Sequence, residues 1–281
     1  GFRVEVLDHT GQGVLSKASE VPTLIAVWNG MQTALAKDIE PAKRIGIPVL
    51  RLEHGFFDRN RHYQVDHSGI LHRASWRRAI LTGDPPPQGA AERLARFVPG
   101  GIQPQRSKRD GYVLVLGQVT GDSQLADSKI QGMPRLEKAV LRALPRGVPA
   151  FFRPHPQCSH IKPHRLHQTL PRLPQENEKT DYGKTKHGAG LTKVLAGARF
   201  VVTINSNAIT EALAMGVPCL AFGPSLGIDA GAVHPTTPET LKNDLKEMLG
   251  GWRAPDAAVR RYLEWLAARQ WSADELADPE V

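Results

Sequence analysis

Residues 198–223 read ARFVVTINSNAITEALAMGVPCLAFG. Ala198–Thr203 is an apolar run of strand length. Ile204-Asn205-Ser206 is a short turn with small polar side chains. Asn207–Met215 has the composition of a helix, and Gly216 is placed to stop it. Val217–Phe222 is then a second apolar run. Two buried strands joined by a helix lie parallel, with a right-handed crossover, because a helix packs back on a right-twisted strand in that hand.

The same grammar recurs upstream. Tyr112–Leu116 ends at Gly117, a helix is expected over Arg135–Leu144, and Pro149–Arg153 reads as the next strand. Nearer the start, Leu24–Trp28 ends at Asn29-Gly30. Met31–Arg44 carries Met31, Leu35, Ile39 and Ala42 at helical spacing, Gly46 closes it, and Pro48–Leu52 follows as a strand. Repeated strand–helix units predict an α/β fold of doubly wound parallel sheets. Residues 103–110, polar and without apolar period, read as a linker. The expected domains are therefore 1–105, 110–250 and a C-terminal piece, 251–281. Amphipathic helices are expected at 239–249 and 256–268.

The chain has 281 residues, 41% hydrophobic and 23% charged, enough for real cores and unlike a disordered chain. Its two cysteines, Cys158 and Cys219, stand in unlike settings, so a disulfide framework is not expected and a cytoplasmic location fits. No apolar run approaches the ~18 residues of a membrane span. The opening GFRVEV lacks the layout of a signal peptide. The formal net charge of +8 favours polyanionic partners: nucleic acid, acidic glycans, an acidic membrane surface or sugar nucleotides. The plainer alternative is an arginine-rich solvated surface.

Four clusters could carry chemistry, and each has a plainer structural reading. Arg153-Pro154-His155-Pro156 follows a strand. Its prolines fix the backbone, so Arg153 and His155 could hold a phosphate or ribose; alternatively it is a plain turn. Ser206 and Asn207 open a helix, with Glu211 one turn in. That arrangement suits an anion and ribose hydroxyls, or is only a helix cap. Gly117-Gln118 through Gly121-Asp122 is a glycine-bearing loop able to approach a phosphate, although it matches neither a Walker loop nor the Gly-x-Gly-x-x-Gly pattern. Glu53-His54-Gly55 ends the Pro48–Leu52 strand. There His54 could take a proton from an acceptor hydroxyl and Glu53 could orient it or act itself. A zinc site from His155, Cys158, His160, His164 and His167 is set aside, because no metal-binding spacing occurs and Pro163 interrupts the segment.

In this order the clusters resemble the capsule polysaccharide biosynthesis glycosyltransferases, the group that includes the bacterial Kdo transferases of capsule export. The resemblance spans residues 24–225. It implies a GT-B fold of two Rossmann-like domains with a C-terminal helix crossing back, and a metal-independent enzyme whose co-substrate is a nucleotide sugar. It implies donor-binding roles for His155, Pro156, Ser206 and Glu211. The family's acidic-acidic-Gly motif reads Glu53-His54-Gly55 here, so an imidazole replaces the central carboxylate. The family's Gly-Trp-Gly stretch is absent after Phe222-Gly223, so Kdo is not carried over as the donor sugar.

The combined expectation is a glycosyltransferase with Glu53 and His54 as catalytic residues. Its donor site would comprise Gly117, Gln118, Asp122, Arg153, His155, Pro156, Ser206, Asn207 and Glu211, with no metal. The basic charge tilts the expected acceptor toward a hydroxymethylated base in DNA, with a capsule-type saccharide or glycolipid as the alternative. A sugar-nucleotide epimerase and a non-catalytic DNA-binding protein remain open at this point.

Overall fold

The computed structural model describes residues 4, 6, 20–29, 31, 33–106, 110–119, 121–155, 170–171 and 189–278. In chain order the elements begin with β1 (Ile25–Trp28), α1 (Thr33–Arg44), β2 (Val49–His54) and β3 (His62–Asp66). Then come α2 (Arg77–Thr82), α3 (Ala90–Phe97), β4 (Tyr112–Leu116), α4 (Met133–Ala143) and β5 (Ala150–Arg153). Next are α5 (Ala189–Gly197), β6 (Ala198–Thr203), α6 (Ala208–Ala214), β7 (Cys219–Ala221), α7 (Leu226–Asp229) and β8 (His234–Pro235). The chain closes with α8 (Leu241–Gly250), α9 (Asp256–Ala268), β9 (Trp271–Ser272) and α10 (Ala273–Ala277). Two compact units result, one of Gly1–Arg78 with Arg269–Val281 and one of Ala79–Ala268. The linker expected at 103–110 reads differently in the described residues. Gln103 and Arg106 donate main-chain hydrogen bonds to Ala214 and Gly216, and the buried Gln105 side chain bonds both ways to Ala254. A glutamine that satisfies a backbone donor and acceptor can be buried where composition alone suggests a solvated loop.

The second unit holds a five-stranded sheet in the order β5-β4-β6-β7-β8, with every pairing parallel. Its central strands are continuous apolar runs, as a sheet covered on both faces requires: Val113, Leu114, Val115, Val201 and Val202 are each 0% exposed. Helix α4 covers one face through Leu136 and Val140, and α8 adds Leu241, Leu245 and Met248 to the same core. The end of α6 is set by Gly216 at φ 71°, where a side chain would meet the Pro104 carbonyl. Helix α9 buries Val259, Tyr262, Leu263 and Leu266 at helical spacing. It packs on α3, where Arg93 Nε donates to Ala267 O at 3.0 Å.

The first unit holds a mixed sheet in the order β1-β2-β3-β9, not the purely parallel sheet expected. Strands β1 and β2 are parallel; β3 and β9 run antiparallel. The reason is the short connection at 55–61, which cannot hold a crossover but can turn a hairpin, with Asp58 at φ 42°. Its core is Leu35, Ile39, Ala42, Ile47 and Val49.

Two buried polar groups organise the rest of this unit. Asp66 accepts main-chain N–H bonds from Ser68, Gly69 and Ser75, and the Ser75 hydroxyl at 2.6 Å. It stands opposite Arg51 in the β2–β3 register. Burial lowers the pKa of Arg51 and of Arg269, and the charge of Asp66 opposes that shift for both. Gln270, 0% exposed, accepts from the N–H groups of Phe56 and Phe57 at 2.7 and 2.8 Å and donates to Phe57 O. Its replacement by leucine strips the acceptor from two buried donors. Gln270→Leu is expected to cost about 2 kcal/mol or more, read as a lowered urea midpoint with an unchanged slope.

Candidate functional site

In the second unit the sequence clusters converge at the carboxyl ends of β4, β5 and β6, where open parallel sheets bind ligands. Gly117 leaves β4 and donates to Arg153 O at 2.9 Å. A side chain at 117 would lie 2.9 Å from the Phe152 ring and 3.3 Å from the His155 nitrogen. Glycine is therefore what lets the 117 loop lie against the Arg153-Pro154-His155 segment. Arg153 and His155 are both partly exposed at this edge. Pro156, expected beside them, lies outside the described residues, as do Cys158, His160, His164 and His167. Among the described residues no group of three or more His, Cys, Asp or Glu could hold a metal ion.

Two buried carboxamides join the β4 and β6 ends. Gln118 Nε2 donates to Asn205 Oδ1 at 2.8 Å, and Gln118 Oε1 accepts from the Asn205 main chain at 3.0 Å. Asn205 Nδ2 donates to Gln124 O at 2.7 Å. That bond needs an N–H, so it fixes which way the Asn205 amide points. Thr203, just before, donates its hydroxyl to Leu116 O at 3.1 Å. Gln118 thus serves by fixing two loops, its side chain being committed to Asn205. Asp122 likewise caps the short 3-10 turn Ser123–Leu125 by accepting from Gln124 N at 3.0 Å. Ser206 Oγ accepts from Ala208 N at 3.3 Å and keeps its own proton to donate. Asn207 precedes α6 and Glu211 lies in its first turn. Tyr262 of α9 lies near Glu211, and burial raises its pKa. Cys219 is fully buried and its thiol pKa is raised by that burial, so it offers no nucleophile.

Sequence reasoning missed Asn205 and Gln124. Gln124 is 5% exposed, and both polar atoms of its carboxamide are buried without a hydrogen-bond partner. Such a group costs ~1–3 kcal/mol, which makes this loop the least satisfied part of the strand-end cluster. The reading GDSQL carries no local signal for it, because the partner that holds Gln124 is the distant residue Asn205.

In the first unit the ends of β1 and β2 bring Trp28, Asn29, Glu53 and His54 together. Glu53 and His54 are the last residues of β2, not residues beyond it. Asn29 adopts φ 60°, a conformation asparagine tolerates, and its Nδ2 donates to Glu53 Oε2 at 3.0 Å. Glu53 Oε1 accepts from the His54 main chain at 2.9 Å. With both oxygens engaged, Glu53 ties the β1 turn to the β2 end. His54 Nδ1 lies 3.1 Å from Arg59 O. A carbonyl only accepts, so Nδ1 carries the proton, and in the neutral ring Nε2 presents a lone pair. Trp28, 47% exposed, stands edge-on to His54 with ring centres 4.8 Å apart and to Tyr63 at 6.2 Å. This aromatic surround was also missed, because Tyr63 belongs to the antiparallel strand that the sequence did not disclose.

Gly117→Ala tests the strand-end packing. It is expected to cost about 1–3 kcal/mol in a chemical denaturation series.

The sequence matches no protein-family model, and no curated protein matches it. Similar solved structures do exist. One is the Thermosulfurimonas dismutans KpsC beta Kdo 2,7 transferase, with TM-score 0.57 and 20% identity over 91% of this chain and 78% of that one. Another is the beta Kdo 2,4 transferase of the same organism's KpsC, with TM-score 0.59 and 19% identity over 90% of this chain and 81% of that one. At these identities the likeness is one of fold: the chain shares the GT-B-like α/β architecture of the KpsC Kdo transferases.

Proposed function

We propose that this chain is a glycosyltransferase that moves a sugar from a nucleotide donor to a hydroxyl of a saccharide acceptor. The observation that carries the reading is the strand-end cluster of the second unit: Gly117 packed on the Arg153–His155 segment, and Gln118 locked to Asn205. It occurs in a fold shared with two Kdo transferases. Arg153 and His155 hold the donor's phosphate, and Ser206 and Asn207 offset the charge that grows on the leaving phosphate. Glu211 and Pro156 complete the donor side.

On the acceptor side His54 Nε2 takes the proton from the attacking hydroxyl. The oxygen bonds the anomeric carbon, the carbon–oxygen bond to phosphate breaks, and the nucleotide leaves with the electron pair. Glu53 is a positioning residue, holding the β1 turn and the His54 main chain. Trp28 offers an exposed indole against which a sugar ring can lie. A saccharide acceptor is preferred over hydroxymethylated DNA. The net charge that prompted the DNA expectation suits an acidic glycan equally, and the structural likeness is to transferases of the Kdo kind. Among the described residues no helix is long and apolar enough to cross a membrane.

A panel of nucleotide sugars, offered with acidic oligosaccharides and with hydroxymethylated DNA, tests the reading by mass spectrometry of the acceptors. A one-sugar gain on an oligosaccharide is expected; a gain confined to DNA would reverse the acceptor assignment, and no donor turnover by folded protein would sink the enzyme reading. His54→Asn is expected to lower kcat by about 10²-fold or more while leaving the donor Kd unchanged. His155→Ala should do the reverse, weakening donor binding about tenfold, the scale of one charge-assisted hydrogen bond. Unchanged donor affinity in that variant would remove His155 from the site.

A further inference from the structure

The second unit has a cavity of about 520 Å³ at the opposite end of its sheet from the strand-end cluster. Arg199 and Phe200 open β6, whereas Ser206 follows its far end. At ~3.3 Å per residue the strand separates the two places by on the order of 15 Å. The size is that of a small-molecule site. Arg106, Arg199, Arg253 and Trp252 line it, over an apolar base that includes Phe200 and Met248.

Three guanidinium groups around one cavity repel one another, so their placement needs a cause. The carboxyl end of α8 supplies part of it: Arg199 Nη2 donates to Leu249 O in the last turn. Arg106 Nη1 donates to Ala196 O at 3.3 Å, a neutral partner that leaves its charge uncompensated. Neither Arg106 nor Arg253 meets a carboxylate among the described residues. The indole of Trp252 is fixed edge-on to His234, with ring centres 4.9 Å apart and planes at 70°. A planar apolar surface beside guanidinium forks is the chemistry that holds a sugar ring bearing an acidic group, the ring against the indole and the carboxylate on the forks.

We propose that this cavity binds an acidic saccharide, separately from the strand-end site. The choice of a saccharide over another organic anion rests on the glycosyltransferase reading; the anionic character rests on Arg106 and Arg253, which meet no carboxylate among the described residues. The site holds a carboxylated sugar away from the strand-end cluster of the same unit, and so acts as an anchor for an acidic glycan.

Calorimetry on the full chain with an α2,8-linked sialic acid tetramer is the test, with maltotetraose, inorganic pyrophosphate and a short DNA duplex as comparisons. The tetramer is expected to bind and maltotetraose to bind at least about tenfold more weakly, as loss of one charge-assisted contact requires. Arg253→Gln, at an exposed side chain, is expected to weaken the tetramer about tenfold with donor affinity unchanged, and adding Arg106→Gln should weaken it further. His155→Ala should leave tetramer binding as it was. Absence of tetramer binding, indifference to both arginine changes, or its loss in His155→Ala would overturn the proposal. Pyrophosphate or DNA binding as tight as the tetramer's, with the same arginine dependence, would overturn the saccharide assignment. Donor turnover is read in a separate assay, so a failure of the enzyme reading is seen apart from a failure here.

Discussion

The reciprocal bonding of Gln118 and Asn205 is the constraint on which the second unit's strand ends depend. Parallel strands bring their carboxyl ends to one edge, but the loops that leave them are free to splay. Here one side-chain amide takes a main-chain N–H and gives an N–H to the facing amide, and that amide passes a further N–H to Gln124 O. Buried polar networks of this kind are rigid when fully paired and costly when broken. The pair therefore sets where Ser206 and Asn207 begin their helix relative to the Gly117 turn. Gly117 performs the complementary service by having no side chain, so the Arg153–His155 segment can close on it.

The first unit reaches its order by a different route. Its apolar core is small, and its precision comes from buried polar hubs. Asp66 gathers three backbone donors and a hydroxyl, and its charge acts on the guanidinium groups of the buried Arg51 and the half-buried Arg269. Glu53, half-buried, is a further hub: it couples the left-handed Asn29 turn to the residue bearing the imidazole. The tautomer of His54 is decided by the carbonyl of Arg59, five residues on, so the hairpin that follows β2 sets which ring nitrogen carries the proton.

Much of this was legible in the sequence where apolar runs are continuous. Ala198–Thr203 and Asp256–Ala268 lie where their patterns put them, because buried parallel strands and amphipathic helices write their environment into neighbouring residues. Strands β3 and β9 were not legible. The alternation in His62–Asp66, HYQVD, is weak, and β9 is two residues long, so both exist only through pairing with distant partners. The site divides in the same way. His54, Gly117 and His155 stand at strand ends that the pattern marks, whereas Asn205, Gln124, Trp28 and Tyr63 gain their roles from contacts across tens of residues. Gln118 shows the limit from the other side: the position was visible, but its side chain's partner, 87 residues away, was not.

The pairing of β3 with β9 also governs the order in which the protein can be completed. Residues 62–63 must find 271–272, and every residue of the second unit is made in between. During synthesis the second unit leaves the ribosome as a continuous stretch and can close on itself, in keeping with domains folding as units. The first unit, although its chain emerges earlier, lacks its edge strand and the Gln270 bonds to Phe56 and Phe57 until residues 270–272 arrive. The unit that bears the His54 imidazole is thus completed only after the whole of the second unit has been made.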